Sequence, residues 1–362
     1  MNGKNYRNCR KIGVMTTIFV LAVLLSSGWS ESMAQESMKS AGDDTLAKLY
    51  SAAKKEGEVV VWGPTDIVIF DRAQVEFGKQ YPGIKIDYFE SLPDPLVQRI
   101  ITEKQAGKPS SVDIIHSGSM RGLRPLIERE MLISNPAWRT EFNLDALYLD
   151  DRLVGFYNLA FPISYNAKLV SEKDVPKTWE GLLDPKWKGR RIIVEARLVP
   201  FAILGTEWGQ PKMIEYTKKL LSQDPIILKG GTTSANALAS GQAAIAVGTY
   251  SYKIEALDKA GAQLKWIPVN PLPILSGAFG VLKDAPHPNA AILFAGFMGS
   301  PQGQKILYES TGQAVLVGKN ATGVVAEKIK AANPKILLES EKNFREIVDN
   351  QRELGKLLGA LK

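Results

Sequence analysis

Glu58-Val59-Val60-Val61-Trp62 is a short, mostly β-branched run, broken at once by Gly63-Pro64-Thr65-Asp66. Apolar runs of this length bounded by turn residues read as buried strands. Upstream, Asp44 opens a helical pattern with Leu46, Leu49, Tyr50 and Ala53 on one face, closed by Gly57. Downstream, an amphipathic segment runs to Tyr81-Pro82-Gly83, and Ile84 to Phe89 alternates as a second strand. A helical stretch follows over about Asp94 to Ala106. Val112-Asp-Ile-Ile-His116 is a third strand, and Ser117-Gly118-Ser119 turns into the next helix. Strands alternating with helices in this order predict a doubly wound parallel sheet.

The second half repeats the pattern. Arg191 to Glu195, Pro225 to Leu228 and Ala243 to Gly248 are strands; Phe201 to Trp208, Lys212 to Ser222, a segment from Gly230 to near Gly241, and Tyr252 to Ala260 are helices. Two extended segments, Leu159 to Asn166 and Ile267-Pro-Val-Asn-Pro-Leu-Pro-Ile274, separate the halves, and three prolines keep the second out of a helix. The chain is therefore expected to leave one lobe, build another and return. Lobe 1 would take residues 35–160 plus about 270–325, and lobe 2 residues 161–269 plus about 326–362. After Pro288 the pattern is mostly helical.

The 362 residues are 45% hydrophobic and 23% charged, an ordinary globular composition with material for two domains. The formal charge of +7 is uneven. Residues 1–34 hold Lys4, Arg7, Arg10 and Lys11 against Glu31, which leaves 41 basic and 37 acidic residues in the remainder. With no basic block interleaved with aromatics, nucleic acid is not an expected partner. Ile12 to Leu25 is an uncharged, mostly apolar run, followed by Ser32-Met33-Ala34. This reads as a signal peptide cleaved after Ala34, with export to the periplasm. An uncleaved anchor is the alternative, but the run falls short of the roughly 20 residues a spanning helix needs. Cys9, the only cysteine, lies in this leader, and His116 and His287 are the only histidines. Disulfides, thiolate catalysis and cysteine- or histidine-rich zinc sites are thereby excluded from the mature chain.

Several stretches carry a family resemblance: Val59-Val-Val-Trp62, Val112-Asp-Ile-Ile-His116, Ile163-Ser-Tyr-Asn166, Ala243-Ala-Ile-Ala-Val-Gly248, Ala285-Pro-His-Pro-Asn-Ala290 and Gly299-Ser-Pro-Gln-Gly303. Lys173-Asp-Val-Pro-Lys-Thr-Trp-Glu-Gly-Leu-Leu-Asp-Pro-Lys-Trp-Lys-Gly189 is the most specific. Together, over roughly Leu46 to Leu316, they resemble the solute-binding proteins of ABC importers, and within them the ferric-iron-type subfamily. The resemblance implies an α/β, two-lobed type 2 periplasmic binding fold with a doubly wound sheet in each lobe and two hinge crossings. It further implies a monomer that captures a small solute between the lobes and delivers it to an ABC permease and its ATPase, with no cofactor and no catalysis.

In open α/β sheets, ligands collect at the carboxyl ends of strands, where helix starts point spare N–H groups outward. Thr65 and Asp66 follow the first strand, and Ser117, Gly118 and Ser119 the third. Gly231, Thr232, Thr233 and Ser234 open a helix in the second lobe, and Tyr250 and Tyr252 follow the Ala243–Gly248 strand. Each Ser or Thr is equally suited to capping its helix, and the two roles are compatible. Arg197, just past a strand end, either grips an anion bidentately or pairs with Glu195 or Glu207. His116 is expected in the core and His287 at the surface. Trp179 and Trp187 should pack, as should Tyr157 and Tyr165.

The ferric-iron members carry two adjacent tyrosines at one strand end. Here Tyr250 matches the first, Ser251 stands at the second, and Lys253 adds a positive charge. Neighbouring positions at a helix start diverge by about 100°, so Tyr252 is not expected to stand in for the missing phenol. An organic anion or zwitterion is therefore the expected solute, with ferric iron the alternative and no resident metal. Two other classes share the fold: an exported sensory module, and an enzyme. The sequence has no Gly-x-Ser-x-Gly elbow or Walker loop for the latter.

Overall fold

The computed structural model describes residues 44–360. The expected leader, with Cys9 and the cleavage site after Ala34, lies outside the described residues. The chain divides into residues 1–49 and 50–362. Of the first unit only 44–49 are described, as the opening of helix α1 (residues 44–56). Among the described residues no helix is long and apolar enough to cross a membrane.

The second unit contains two sheets. Its strands are β1 (Glu58–Gly63), β2 (Lys85–Glu90), β3 (Ile114–Ser117), β4 (Leu147–Tyr148), β5 (Leu153–Ala160), β6 (Ile163–Asn166), β7 (Ile192–Glu195), β8 (Ile226–Leu228), β9 (Ile245–Val247), β10 (Leu264–Ile267), β11 (Leu272–Val281) and β12 (Ile336–Leu338). The helices are α2 (Ile67–Gln80), α3 (Pro93–Gln105), α4 (Met120–Glu128), α5 (Ala137–Thr140), α6 (Val199–Trp208), α7 (Gln210–Leu221), α8 (Gly231–Ala239), α9 (Ser251–Leu257), α10 (Pro288–Gly299), α11 (Pro301–Thr311), α12 (Gly323–Ala332) and α13 (Phe344–Ala360). The larger sheet runs β2-β1-β3-β11-β5-β4, with β12 also on β11; the smaller runs β10-β6-β9-β7-β8.

In each sheet the βαβ strands pair in parallel: β1 with β2 and β3, and β7 with β8 and β9. The expected crossings narrow to residues 161–162 and 268–271, because β5 runs straight to Ala160 and β6 starts at Ile163. The strands on either side of these breaks pair with each other twice. β5 lies antiparallel to β11 in the larger sheet, and β6 antiparallel to β10 in the smaller.

Three elements differ from expectation for identifiable reasons. β5 is buried along its whole length and so shows no alternation to betray it. β12 interrupts the C-terminal helical region as a three-residue pairing onto Leu272–Ile274, too short to leave a periodic signal. The helix expected to reach Ala260 stops at Leu257 and relaxes into a wider turn over Asp258–Ala262, in which Gly261 takes φ +93°.

α4 packs Met120, Leu123 and Leu126 onto Ile115 and the inner face of α3, and Ala235 and Leu238 of α8 join Ile193 and Ala246 in a second core. His116 is fully buried, as expected, beside Phe156 and Phe279. His287 corrects the surface assignment. It is partly buried, and both its backbone N–H (2.6 Å) and its Nδ1 (2.9 Å) face the buried Asp113 carboxylate.

Phe279 lies 4.2 Å from Phe156, centroid to centroid, and is inaccessible to solvent. Phe279→Ala is expected to cost about 3–5 kcal/mol in urea unfolding, against less than about 0.5 kcal/mol for the half-exposed Ile67→Ala. Burial drops the His116 pKa to about 3. The unfolded chain takes up a proton near pH 6.5 and the folded chain does not, so this group removes stability as pH falls from 6.5 towards 3. Unfolding free energies of the wild type and His116→Asn, compared at pH 7 and pH 4, should shift by about 2–3 kcal/mol in favour of the variant.

Candidate functional site

The carboxyl ends of β1 and β3 in one sheet, and of β7, β8 and β9 in the other, line a single cleft of about 830 Å³. On the larger-sheet wall, Gly63–Asp66 turns β1 into α2. Asp66 caps that helix, its Oδ1 accepting from Val68 N–H at 3.0 Å. The Tyr88 hydroxyl accepts from Thr65 N–H at 3.0 Å and lies 3.3 Å from His116 Nε2, so the core histidine braces the loop carrying Thr65.

Ser119 holds the N-cap position of α4, but its hydroxyl makes no capping bond. The capping acceptor comes from 219 residues away: Glu339 Oε2 accepts from Met120 N–H and from Ser276 N–H, each at 3.1 Å. Glu339 is completely buried and its Oε1 has no hydrogen-bond partner. Burial pushes its carboxyl up to about 7, against the pull of the surrounding N–H groups and Arg121.

On the smaller-sheet wall, β7 ends in the buried Glu195. Its Oε1 accepts from Arg197 Nε at 2.8 Å and from Gly230 N–H at 2.9 Å, and its Oε2 from Arg197 N–H at 3.1 Å. Arg197 also donates to the Tyr250 hydroxyl at 3.1 Å. Burial works against the guanidinium charge, but Tyr250 and Glu195 outweigh it and hold Arg197 above its ordinary range. Gly230 stands at the N-cap of α8 with no side chain to offer. A Cβ on Gly231 would lie 2.8 Å from the Tyr250 ring, so glycine lets the ring close over this helix start.

The cleft gathers Thr65, Asp66, Ser117, Ser119, Arg197, Thr232, Tyr250 and Tyr252 from the sequence candidates. Gly118, Thr233 and Ser234 do not line it. Gly118 lies behind Tyr157, and Ser234 is buried with its hydroxyl unpartnered. Tyr165 and both Trp179 and Trp187 are packed, whereas Tyr157 lines the cleft, contrary to expectation.

Tyr252 lines the cleft beside Tyr250 without taking the place of the missing phenol. Ser251 opens α9 and Tyr252 follows it within the helix, so Tyr252 stays about 100° from the position of the missing phenol, while Tyr250, at φ −97° and ψ 131°, is still extended. The Tyr250 and Tyr252 rings stack at 5.9 Å and 11°. Burial holds the hydroxyls of Tyr157, pushed up to about 12, and of Tyr252 in their neutral forms.

Asp94, Arg121 and Lys229 line the cleft without having been singled out from sequence. Asp94 and Lys229 stand beside turn residues at strand ends, a signal that was available. Arg121 sits one residue into α4 and carries none. The resulting charge is polarised: Asp66, Asp94 and Arg121 on one wall face Arg197, Lys229 and Lys253 on the other. Among the described residues no group of three or more His, Cys, Asp or Glu side chains could hold a metal ion.

Comparison with known proteins agrees with this architecture. Residues 73–322 match the family described as bacterial extracellular solute-binding protein. Iron uptake protein A1 of Synechocystis sp. is 28% identical over 247 residues, covering 63% of this chain and 67% of that protein. Iron-bound HitA from Pseudomonas aeruginosa superposes with a TM-score of 0.65 at 20% identity, over 82% of this chain and 99% of that one. AfuA from Actinobacillus pleuropneumoniae, with fructose-6-phosphate bound, gives a TM-score of 0.64 at 18% identity, over 83% and 97%. With the family match spanning more than half of the residues and reaching both sheets, this chain belongs to the bacterial extracellular solute-binding proteins.

Proposed function

We propose that this protein is the periplasmic solute-binding component of an ABC importer, and that its solute is a small organic anion or zwitterion held in the cleft. The observation that carries this reading is the polarity of the cleft. The α8 start, with Gly230 as its cap, lies beside Arg197, Lys229 and Lys253, whereas the opposite wall presents Asp66 and Asp94 against a single cation among the described residues, Arg121. Helix-start N–H groups and a guanidinium favour an anionic group at one end of the solute, and the acids favour an amine or hydroxyl at the other. Thr65, Asp66, Ser117, Ser119, Arg197, Thr232, Tyr250 and Tyr252 are the proposed contacts. Lobe 1 is proposed to comprise residues 35–160 plus about 270–325, and lobe 2 residues 161–269 plus about 326–362, with the exception of β12, which pairs with β11 of the larger sheet. A solute touching both lobes only when they are closed stabilises the closed form by its differential affinity, and that form is the one the permease meets.

Ferric iron as cargo is the second reading, and one observation favours it. Tyr157, Tyr250 and Tyr252 bring three phenols to the same cleft, two of them stacked. Iron uptake protein A1 and iron-bound HitA, to which this chain is similar, point the same way. Against it, burial makes Tyr157 and Tyr252 resist ionisation, and Arg197, Lys229 and Lys253 stand on the same wall as Tyr250 and Tyr252.

A thermal-shift screen of carboxylates, phosphates, phosphonates and amino acids tests the first reading, since a tight ligand raises the melting temperature by mass action. Arg197→Ala should weaken the best hit by about 1.5–3 kcal/mol, the worth of a charge-assisted hydrogen bond, and Tyr250→Phe should weaken it less. A visible charge-transfer band on titration with ferric citrate, lost in Tyr250→Phe, would instead establish iron as the cargo.

A further inference from the structure

The helix starts that face the cleft are not equivalent. α2 is capped by its own Asp66, and α4 by Glu339, which arrives from just beyond β12. α8 opens at a glycine with no capping side chain. Glu339 lies outside the stretch that matches the family, so the match does not account for it. It lines a small void of about 10 Å³ at the cleft floor, bounded also by Ser119, Arg121, Val199 and Leu275, all four of which line the main cleft. One carboxylate oxygen is tied to the α4 start and to β11, while the other, buried, has no partner.

A negative charge at a helix start cancels the partial positive charge that would otherwise attract an anion there. Resting on the anion reading above, we propose that Glu339 is a specificity-determining residue. By filling the α4 start with the protein's own carboxylate, and by setting that carboxylate against Arg121, the one cation of this wall among the described residues, it denies the larger-sheet wall to anions, so that an accepted solute carries its negative group only at the α8 end and a hydroxyl or ammonium group at the other. Compounds anionic at both ends are excluded. Glu339 acts through the helix start rather than by contact, which makes it a positioning residue for the electrostatics of that wall.

The groups facing Glu339 define its titration. Arg121 from α4 and Tyr148 from β4 are the charged and titratable ones. β11 presents Ser276 and Leu275, α6 presents Val199, and α13 presents Ile347 and Gln351, none of which titrates in this range. Its carboxyl titrates near 7, so the exclusion is in force at pH 8 and relaxes as the carboxyl is protonated towards pH 6.

The test uses sulfate, whose charge is constant over that range, and amide NMR of the ¹⁵N-labelled protein. At pH 8 sulfate should shift Gly231 and Thr232 and leave Met120 and Arg121 still, and in Glu339→Ala both helix starts should respond. Glu339→Gln keeps the shape without the charge and serves if the alanine variant does not fold. It should bind sulfate at least threefold more tightly than wild type at pH 8, with the gap closing by pH 6. A wild-type Met120 that responds at pH 8 overturns the proposal, as does a Met120 that stays silent in Glu339→Ala, or a Glu339→Gln affinity equal to wild type at pH 8. A silent Thr232 with a responsive Met120 in Glu339→Ala would sink the anion reading of the α8 wall and leave the role of Glu339 standing.

Discussion

The cleft depends first on one buried carboxylate. Glu195 ends β7 at 2% exposure and is satisfied by three donors: two from Arg197 and one from the residue before α8. Burying an ion costs several kcal/mol unless its lone pairs are met, and here they are met by groups that also build the site. Gly248, at φ +85°, belongs to the same arrangement, because a Cβ there would lie 2.5 Å from Glu195 Cβ. The β9 end can therefore pass close to the β7 end and bring Tyr250 within reach of Arg197. Guanidinium, helix start and phenol hydroxyl are held in place before any solute arrives, which lowers the ordering cost of binding.

Local chemistry made part of this legible. Short apolar runs broken by Gly, Pro, Ser and Thr marked β1, β3, β7 and β9, and the residues just past them turned out to share one cleft. Arg197 stood out as a guanidinium two residues past a strand end, and it both pairs with Glu195 and lines the cleft. What sequence could not supply was long-range pairing. Ser117-Gly118-Ser119 looks like a self-capped helix start, yet the cap is Glu339, from a segment whose three-residue strand leaves no periodicity. The stacking of Tyr252 on Tyr250 was equally hidden, because Tyr250 is still extended while Tyr252 is already helical. Arg121 was invisible because its place in the cleft follows from how α4 is set against β11 and α13.

That last contact explains why the C-terminal helix matters to the site. Gln351 of α13 accepts from Arg121 of the larger-sheet wall and donates to the Arg197 carbonyl of the smaller-sheet wall at 3.0 Å. One neutral side chain thus touches the segments carrying a cleft arginine from each wall. An amide suits this place because it can accept on one side and donate on the other. A carboxylate there would meet the Arg197 carbonyl with no donor, and an aliphatic side chain would leave both partners open.

The stretch most diagnostic of the family lies away from this chemistry, and its contacts say why. Trp179 is buried, its indole N–H donating to the Pro271 carbonyl at 2.9 Å, while its own carbonyl accepts from the Tyr216 hydroxyl at 2.6 Å. It therefore ties the smaller sheet's α7 to residues 268–271, the second of two short passages by which the chain moves between sheets. Residues 161–162, the first passage, are held to the same neighbourhood by Phe161 N–H donating to the Pro273 carbonyl at 3.0 Å. Any change in the angle between the sheets has to be absorbed in these few residues, so the packing around them constrains the fold whatever the solute. Strand ends carry no such constraint: Ser251, Lys253 or Thr232 can change without disturbing a crossing. A sequence can therefore keep the fingerprint that identifies the family while its cleft is rebuilt for a different ligand, and the ligand must be argued from the cleft.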